Sequence, residues 1–260
     1  LNVNGVVAVD RYFMQKISGK EANEISPEEF LKGIIYSESK EKLTIGSVIK
    51  ESLEEKHVQI FFNNKNLVTA LEDLGWDGAV VSRSCSGNCY YDFLGIVEAN
   101  LSEESTSHLI DREIETFIFL EEGVIKRKAH IFLENTSESI YKAYIRLITP
   151  VDIGFGEVEV VGKTKSKLPT EVYGLEGWKE AGLYIELGPG EAKAVVFSWD
   201  GASKLDLDER GEYKLLVRKQ PGSENYPVSI QVKYPQGLSV KGNSVYNTNL
   251  SKDFNAVISW

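Results

Sequence analysis

The sequence predicts an α+β protein: an amino-terminal mixed α/β domain over residues 1–122, followed by an immunoglobulin-like antiparallel β-sandwich over residues 123–260. Three observations predict it. Helical and strand-like segments alternate up to about residue 122. From Gly123 onward the helical period disappears, and short alternating runs separated by Gly/Pro turns take over. Charge divides at the same place: residues 1–122 hold 11 Lys+Arg against 22 Asp+Glu, and the rest hold 18 against 17.

In the first half, "NGVVAVD" is a buried strand whose Asp10 is placed to cap a following helix. "SPEEFLKGIIYSE" has Ser26 as N-cap, Pro27 at the first helical position and Glu29 three after the cap, a capping box with a proline start. "TIGSVIKESLEEK" is a second amphipathic helix and "HVQIFFN" a strand. "NKNLVTALEDLG" is a third helix, with Leu67, Ala70, Leu71 and Leu74 on one face and Gly75 to end it. Trp76, in "GWDG", is expected to lock helix to sheet. In the second half, "VIKRKAHIFLEN" sets Ile125, Ala129, Ile131 and Leu133 on one face against Lys126, Lys128 and His130 on the other. "YKAYIRLITP", "GLYIELGPGEAKAVVFSWDG", "GEYKLLVRKQPG", "YPVSIQVKYPQG" and "FNAVISW" continue the strand pattern, with "GPGE" as a hairpin connection.

The two cysteines, Cys85 and Cys89, lie in "SRSCSGNCYYD". One pair plus the scattered His57, His108 and His130 falls short of a four-ligand zinc set, so no metal site is assigned. The C-x3-C spacing and the turn residues Ser86, Gly87 and Asn88 do not match a C-x-x-C helix start. A disulfide and two free thiols remain. The disulfide reading places the chain in an oxidising, extracytoplasmic compartment.

Several stretches together carry a family resemblance: "GVVAVDRYFMQKISG", "EKHVQIFFNNKNLVTALEDLGWDGAV", "YDFLGIVEANLS", "HIFLENTSESIYKAYIRLITP" and "YKLLVRKQPG". From residue 5 to about 235 the chain resembles an uncharacterised bacterial cell-envelope family, the domain of unknown function numbered four-zero-one-two. The resemblance implies an extracytoplasmic protein at the cell surface or envelope, tethered by an upstream transmembrane segment, with no established activity. Asp92, Leu94, Val97, Ala99 and Asn100 match the family's pattern, and Arg112 aligns with a later basic position. Where the family has Gly-Gly and then Lys, this chain has "LSEESTSHLIDRE".

Two functions compete. The favoured one is a non-catalytic, extracytoplasmic module that binds or presents a protein or cell-wall glycan partner. The alternative is a transferase or hydrolase acting on envelope glycan or a lipid-linked phosphate, with Asp10, Arg83, Asp92, Asn100 and Arg112 as its candidate residues. Such enzymes gather several arginines and a metal-binding aspartate around phosphates, and the first half has only Arg11, Arg83 and Arg112. A net charge of −10 repels phosphate backbones and anionic lipid, so nucleic acid is excluded as a partner. No cofactor motif is present. The chain begins at Leu1 rather than Met, and a membrane is engaged only through an anchor lying upstream. His108 beside Ser105, Ser107 and Asp111 lacks the G-x-S-x-G elbow that places a nucleophile. "WDGASKLDLDERGE" offers Asp200, Asp206, Asp208 and Glu209 without the EF-hand spacing. Trp178, in the Gly-flanked "YGLEGWKEAG", is the candidate exposed aromatic for binding. "FNAVISW" is a candidate edge strand for pairing with another chain.

Overall fold

A computed structural model describes residues 5–9, 47, 50–79, 84–102, 107–162, 164–168, 170–175 and 177–260. The chain falls into two compact units, Leu1–Val81 with Lys219–Ser223, and Ser82–Arg218 with Glu224–Trp260.

In the first unit, β1 (Gly5–Val9) and β2 (Val58–Phe62) form a two-stranded antiparallel ribbon. Residues 51–54 are helical, and a longer helix spans Lys65–Leu74. It stops as its sequence requires, because Gly75 takes a left-handed φ of 70° that other residues adopt only with strain. Of the four residues expected on its buried face, Leu71 is buried, whereas Leu67, Ala70 and Leu74 are exposed. The Ile60 amide donates to the Trp76 carbonyl, so the Trp76 backbone, at least, ties the helix end to the strand. The capping-box helix at Ser26 and the cap at Asp10 lie outside the described residues.

The second unit is built of strands. One sheet has six: β10 (Glu171–Leu175), β11 (Trp178–Leu187), β6 (Tyr141–Pro150), β3 (Cys89–Asn100), β13 (Glu212–Arg218) and β16 (Phe254–Ser259), in that order. The larger sheet runs β15 (Val245–Thr248), β14 (Val228–Lys233), β4 (Ile110–Glu121), β5 (Val124–Asn135), β12 (Ala192–Ala202), β8 (Val158–Val161) and β9 (Lys165–Leu168), with β7 (Gly154–Phe155) also paired to β12. The inner faces of the two sheets share one apolar core that includes Leu94, Ile118, Ile125, Ile145, Leu183, Phe197 and Ile230. Period-two alternation produces it: along β6 every odd position from Tyr141 to Thr149 is buried.

The expected fold class is overturned. Strand dominates the described residues, and among them no distinct α/β domain occupies residues 1–122. Two strands from the stretch assigned to such a domain, β3 and β4, are interior strands of the two sheets. The sandwich is not wholly antiparallel either. β3 pairs parallel with β13 (Phe93 opposite Leu216), and β4 pairs parallel with β14 (Phe117 opposite Gln231). Alternation decides which face a residue takes; it carries no information about the direction of the neighbouring strand.

Candidate functional site

The charged residues singled out in the sequence belong to the interior of the sandwich. Asp92 points inward from β3 and is 1 % exposed. One of its oxygens, Oδ2, accepts from Arg127 Nε at 2.5 Å and from Tyr213 Oη at 2.5 Å, while Oδ1 accepts from the Phe93 amide at 2.9 Å. Arg127 comes from β5 in the other sheet, so the ion pair crosses the core. Arg127 Nη1 donates to the Ile125 carbonyl at 2.9 Å, and the guanidinium lies 5.3 Å from the Tyr90 ring centroid, a cation–π contact. Tyr90 stacks in turn on Tyr213. Burial, with the Asp92 charge beside it, drives the Tyr213 hydroxyl far above the ordinary tyrosine value.

A second group repeats this composition. Glu98, six residues along β3 and about 20 Å away by strand rise, is held by Arg112 of β4 through Nε at 3.0 Å and Nη2 at 2.5 Å, a two-pronged pair. Tyr141 of β6 donates to the same carboxylate. Arg112 Nη1 donates to the Ser107 and Ile110 carbonyls at 2.8 and 2.5 Å. Burial, reinforced by Glu98, raises the Tyr141 hydroxyl above the usual range. Asp92 and Arg112, expected to converge on one substrate, therefore sit in separate networks, each engaged with its own partner. Asn100 is at a turn, where its Oδ1 accepts from the Ser102 amide at 2.8 Å. Asp10 and Arg83 lie outside the described residues.

Arg127 was missed by the sequence reading although a signal existed. It occupies the inward phase of β5 between Ile125 and Ala129, a charge where the alternation calls for an apolar residue. Trp178 is not the exposed aromatic expected of it. It opens β11 at 9 % exposure and packs on Phe93 with ring centroids 4.8 Å apart. The edge strand β16 is partly covered, since Lys241 bridges to Ser259 and Tyr246 Oη donates to the Val257 carbonyl.

Cys85 and Cys89 form a disulfide, a bond that persists in oxidising compartments. Beside it, Asn88 Nδ2 donates to the carbonyls of Asp206, Glu209 and Arg210 at 2.6, 3.3 and 3.2 Å. Asn88 Oδ1 accepts from the Asp206 amide, and Trp260 Nε1 donates to the Asp206 carbonyl. The cysteine loop is thus a clamp on the acidic 206–210 turn. Among the described residues no His/Cys/Asp/Glu group has the arrangement of a metal site, and no helix is long and apolar enough to cross a membrane.

The outer face of the larger sheet is unusual in its composition. Aromatic rings occupy positions that in a sheet with one solvated face are ordinarily polar. Phe117, His130 and Phe132 form a row across β4 and β5, with centroid separations of 5.5 and 6.0 Å. Lys233 Nζ stands 5.3 Å from the Phe119 ring and 5.6 Å from that of Phe117. Partial burial and neighbouring Lys128 hold the His130 imidazole below its ordinary pKa, so it is neutral near pH 7. A shallow concavity of about 520 Å³ lies at each end of the row. One is lined by Phe119, Glu121, Lys126, Lys128, Phe155, Ser198 and Asp200, with Lys126 paired to Glu121 at 2.6 Å, the other by Asp111, Glu113, Phe132, Glu134 and Val161 among others. Together with the row they make a trough of mixed charge at one end, aromatic in the middle and mainly anionic at the other.

No family model and no curated protein matches the chain. Among solved structures it is similar to a Legionella pneumophila protein described as a "putative nutrient binding protein", at 8% identity and a TM-score of 0.44 over 64% of this chain and 70% of that one. At that level the likeness carries no functional argument.

Proposed function

We propose that this chain is an extracytoplasmic, non-catalytic binding region of a cell-envelope protein, and that its sandwich engages an extended protein segment along the outer face of the larger sheet. The aromatic row, with a mainly acidic concavity at one end, carries the reading. Exposed rings on a sheet face supply contact area at little entropic cost. The acidic end selects a segment whose apolar part lies on the rings and whose basic part meets Asp111, Glu113 and Glu134. The disulfide supports the compartment, and the resemblance to the envelope family supports the setting. The transferase or hydrolase alternative loses its basis in Asp92 and Arg112, because a carboxylate and a guanidinium committed to buried partners are not available to a phosphate.

Selection of displayed peptides against the intact chain tests this. Enriched peptides should carry an apolar part and a basic cluster, and Phe132→Ser or Glu134→Lys should weaken them about tenfold, the scale of one good interface contact. Enrichment indifferent to both substitutions contradicts the reading.

A further inference from the structure

The smaller sheet carries a different chemistry on its outer face, and we infer that this face is a second binding site, one for a neutral glycan chain. Three tyrosines lie there across adjacent strands. Tyr144 of β6 is directly opposite Tyr184 of β11, and Tyr173 of β10 is opposite Glu180 of β11, four residues along the strand from Tyr184. Strand rise and spacing put Tyr173 and Tyr184 about 14 Å apart, enough for a short run of linked sugar rings. Tyr173 and Tyr184 are 50 % and 46 % exposed, high values for rings that have a core to enter.

Gly182 shapes the face. A Cβ at that position would come within 2.6–2.7 Å of Tyr144 Oη, Cε1 and Cζ, so only glycine lets the Tyr144 ring lie down across β11. Lying there, its hydroxyl reaches Glu171 Oε2 at 2.6 Å, and Tyr173 Oη donates to the same oxygen at 3.1 Å. Tyr184 Oη donates to Glu186 Oε2 at 3.0 Å. Each phenol proton is thus committed to a carboxylate, which fixes the ring. A carboxylate accepts about four hydrogen bonds, so Glu171 and Glu186 retain lone pairs for further donors.

Flat rings held at fixed angles beside anionic acceptors suit a sugar. The C–H-bearing face of a pyranose stacks on a phenol ring, and its equatorial hydroxyls donate sideways to the carboxylates. Charge narrows the class. Glu171, Glu180 and Glu186 outnumber the two cations that β6 brings to this face and oppose an anionic polymer: Arg146 is already paired with Glu180 at 3.6 Å, and Lys142 stands directly opposite Glu186. A neutral chain, including one with N-acetyl groups, fits; a uronate or teichoic-type polyanion does not. This site is independent of the trough on the opposite sheet.

Titration calorimetry of the intact chain against cellohexaose, chitohexaose, xylohexaose, maltohexaose and polygalacturonate tests the inference. Saturable binding of at least one neutral hexasaccharide is expected, with none of polygalacturonate. Tyr173→Ala and Tyr184→Ala, both at exposed positions, should each weaken it about tenfold. Gly182→Ala should weaken it by lifting the Tyr144 ring, and Phe132→Ser, on the other sheet, should leave it unchanged. Three results overturn the inference: no binding to any neutral member, preference for polygalacturonate, or affinity unmoved by both tyrosine substitutions.

Discussion

The two ionic groups inside the sandwich have the same parts and different surroundings. Each has a carboxylate from β3, an arginine from the opposite sheet and a tyrosine hydroxyl from a neighbouring strand. The Asp92–Arg127 side chains are each 1 % exposed, whereas those of Glu98 and Arg112 are 11 % and 16 % exposed. Removing one partner of a fully desolvated pair strands a charge that water cannot reach. Near the rim, water can replace part of what is lost. The comparison teaches that both groups align the sheets, and that the deep one does so at higher stakes. It ties β3 to β5 in a single register, because a one-residue slip would turn Asp92 to the outer face.

The largest expected effect follows from that. Asp92→Ala or Arg127→Ala should each destabilise the protein by about 3–5 kcal/mol, read from the urea midpoint. Glu98→Ala or Arg112→Ala should cost about 1–3 kcal/mol, the range for a charged hydrogen bond broken where solvent can enter. If the shallow pair costs as much as the deep one, the distinction drawn from burial fails.

Alkaline titration reads both groups through their tyrosines. Tyr213 and Tyr141 have hydroxyls raised above the ordinary value of 10.0. In the unfolded chain they ionise first, so their contribution to stability is full below about pH 10 and is lost as pH rises toward their folded values. The urea midpoint should fall between about pH 9.5 and pH 11. Tyr213→Phe and Tyr141→Phe should each flatten that fall to a similar degree, since both hydroxyls stay protonated in the folded protein across this window. The smallest effect is expected from reducing Cys85–Cys89. So short a loop contributes about 2 kcal/mol at most by chain entropy, and the Asn88 clamp on the 206–210 turn persists without it.

Part of both units was legible. The alternation from Val124 to Asn135 named Ile125, Ala129, Ile131 and Leu133 on the buried face of β5 but passed over Arg127 and Asn135. The stop of the first unit's helix at Gly75 was readable from local chemistry, and the short cysteine loop was narrowed to a disulfide or two free thiols. What could not be read was partnership. Asp92 was grouped with Arg112 as a candidate substrate-site residue, because nothing in the string says that Arg127, 35 residues on, meets Asp92. Trp178, flanked by glycines, looked like a loop residue. In fact it opens a strand, where Gly95 leaves room for the Phe93 ring it packs on. Tyr144, Tyr173 and Tyr184 were invisible as a group, since single tyrosines at outward positions are ordinary until the β6–β11–β10 register sets them side by side.

The buried charges on β3 serve the fold, and the binding proposed above belongs to the outer faces. A double-mutant cycle on Asp92→Asn and Arg127→Met, with stability and oligosaccharide affinity measured on every variant, tests it most directly. The account predicts that each single change destabilises markedly, that the double costs less than their sum by about 1–3 kcal/mol, and that affinity is unchanged in every folded variant. Stability left intact while affinity collapses would contradict it.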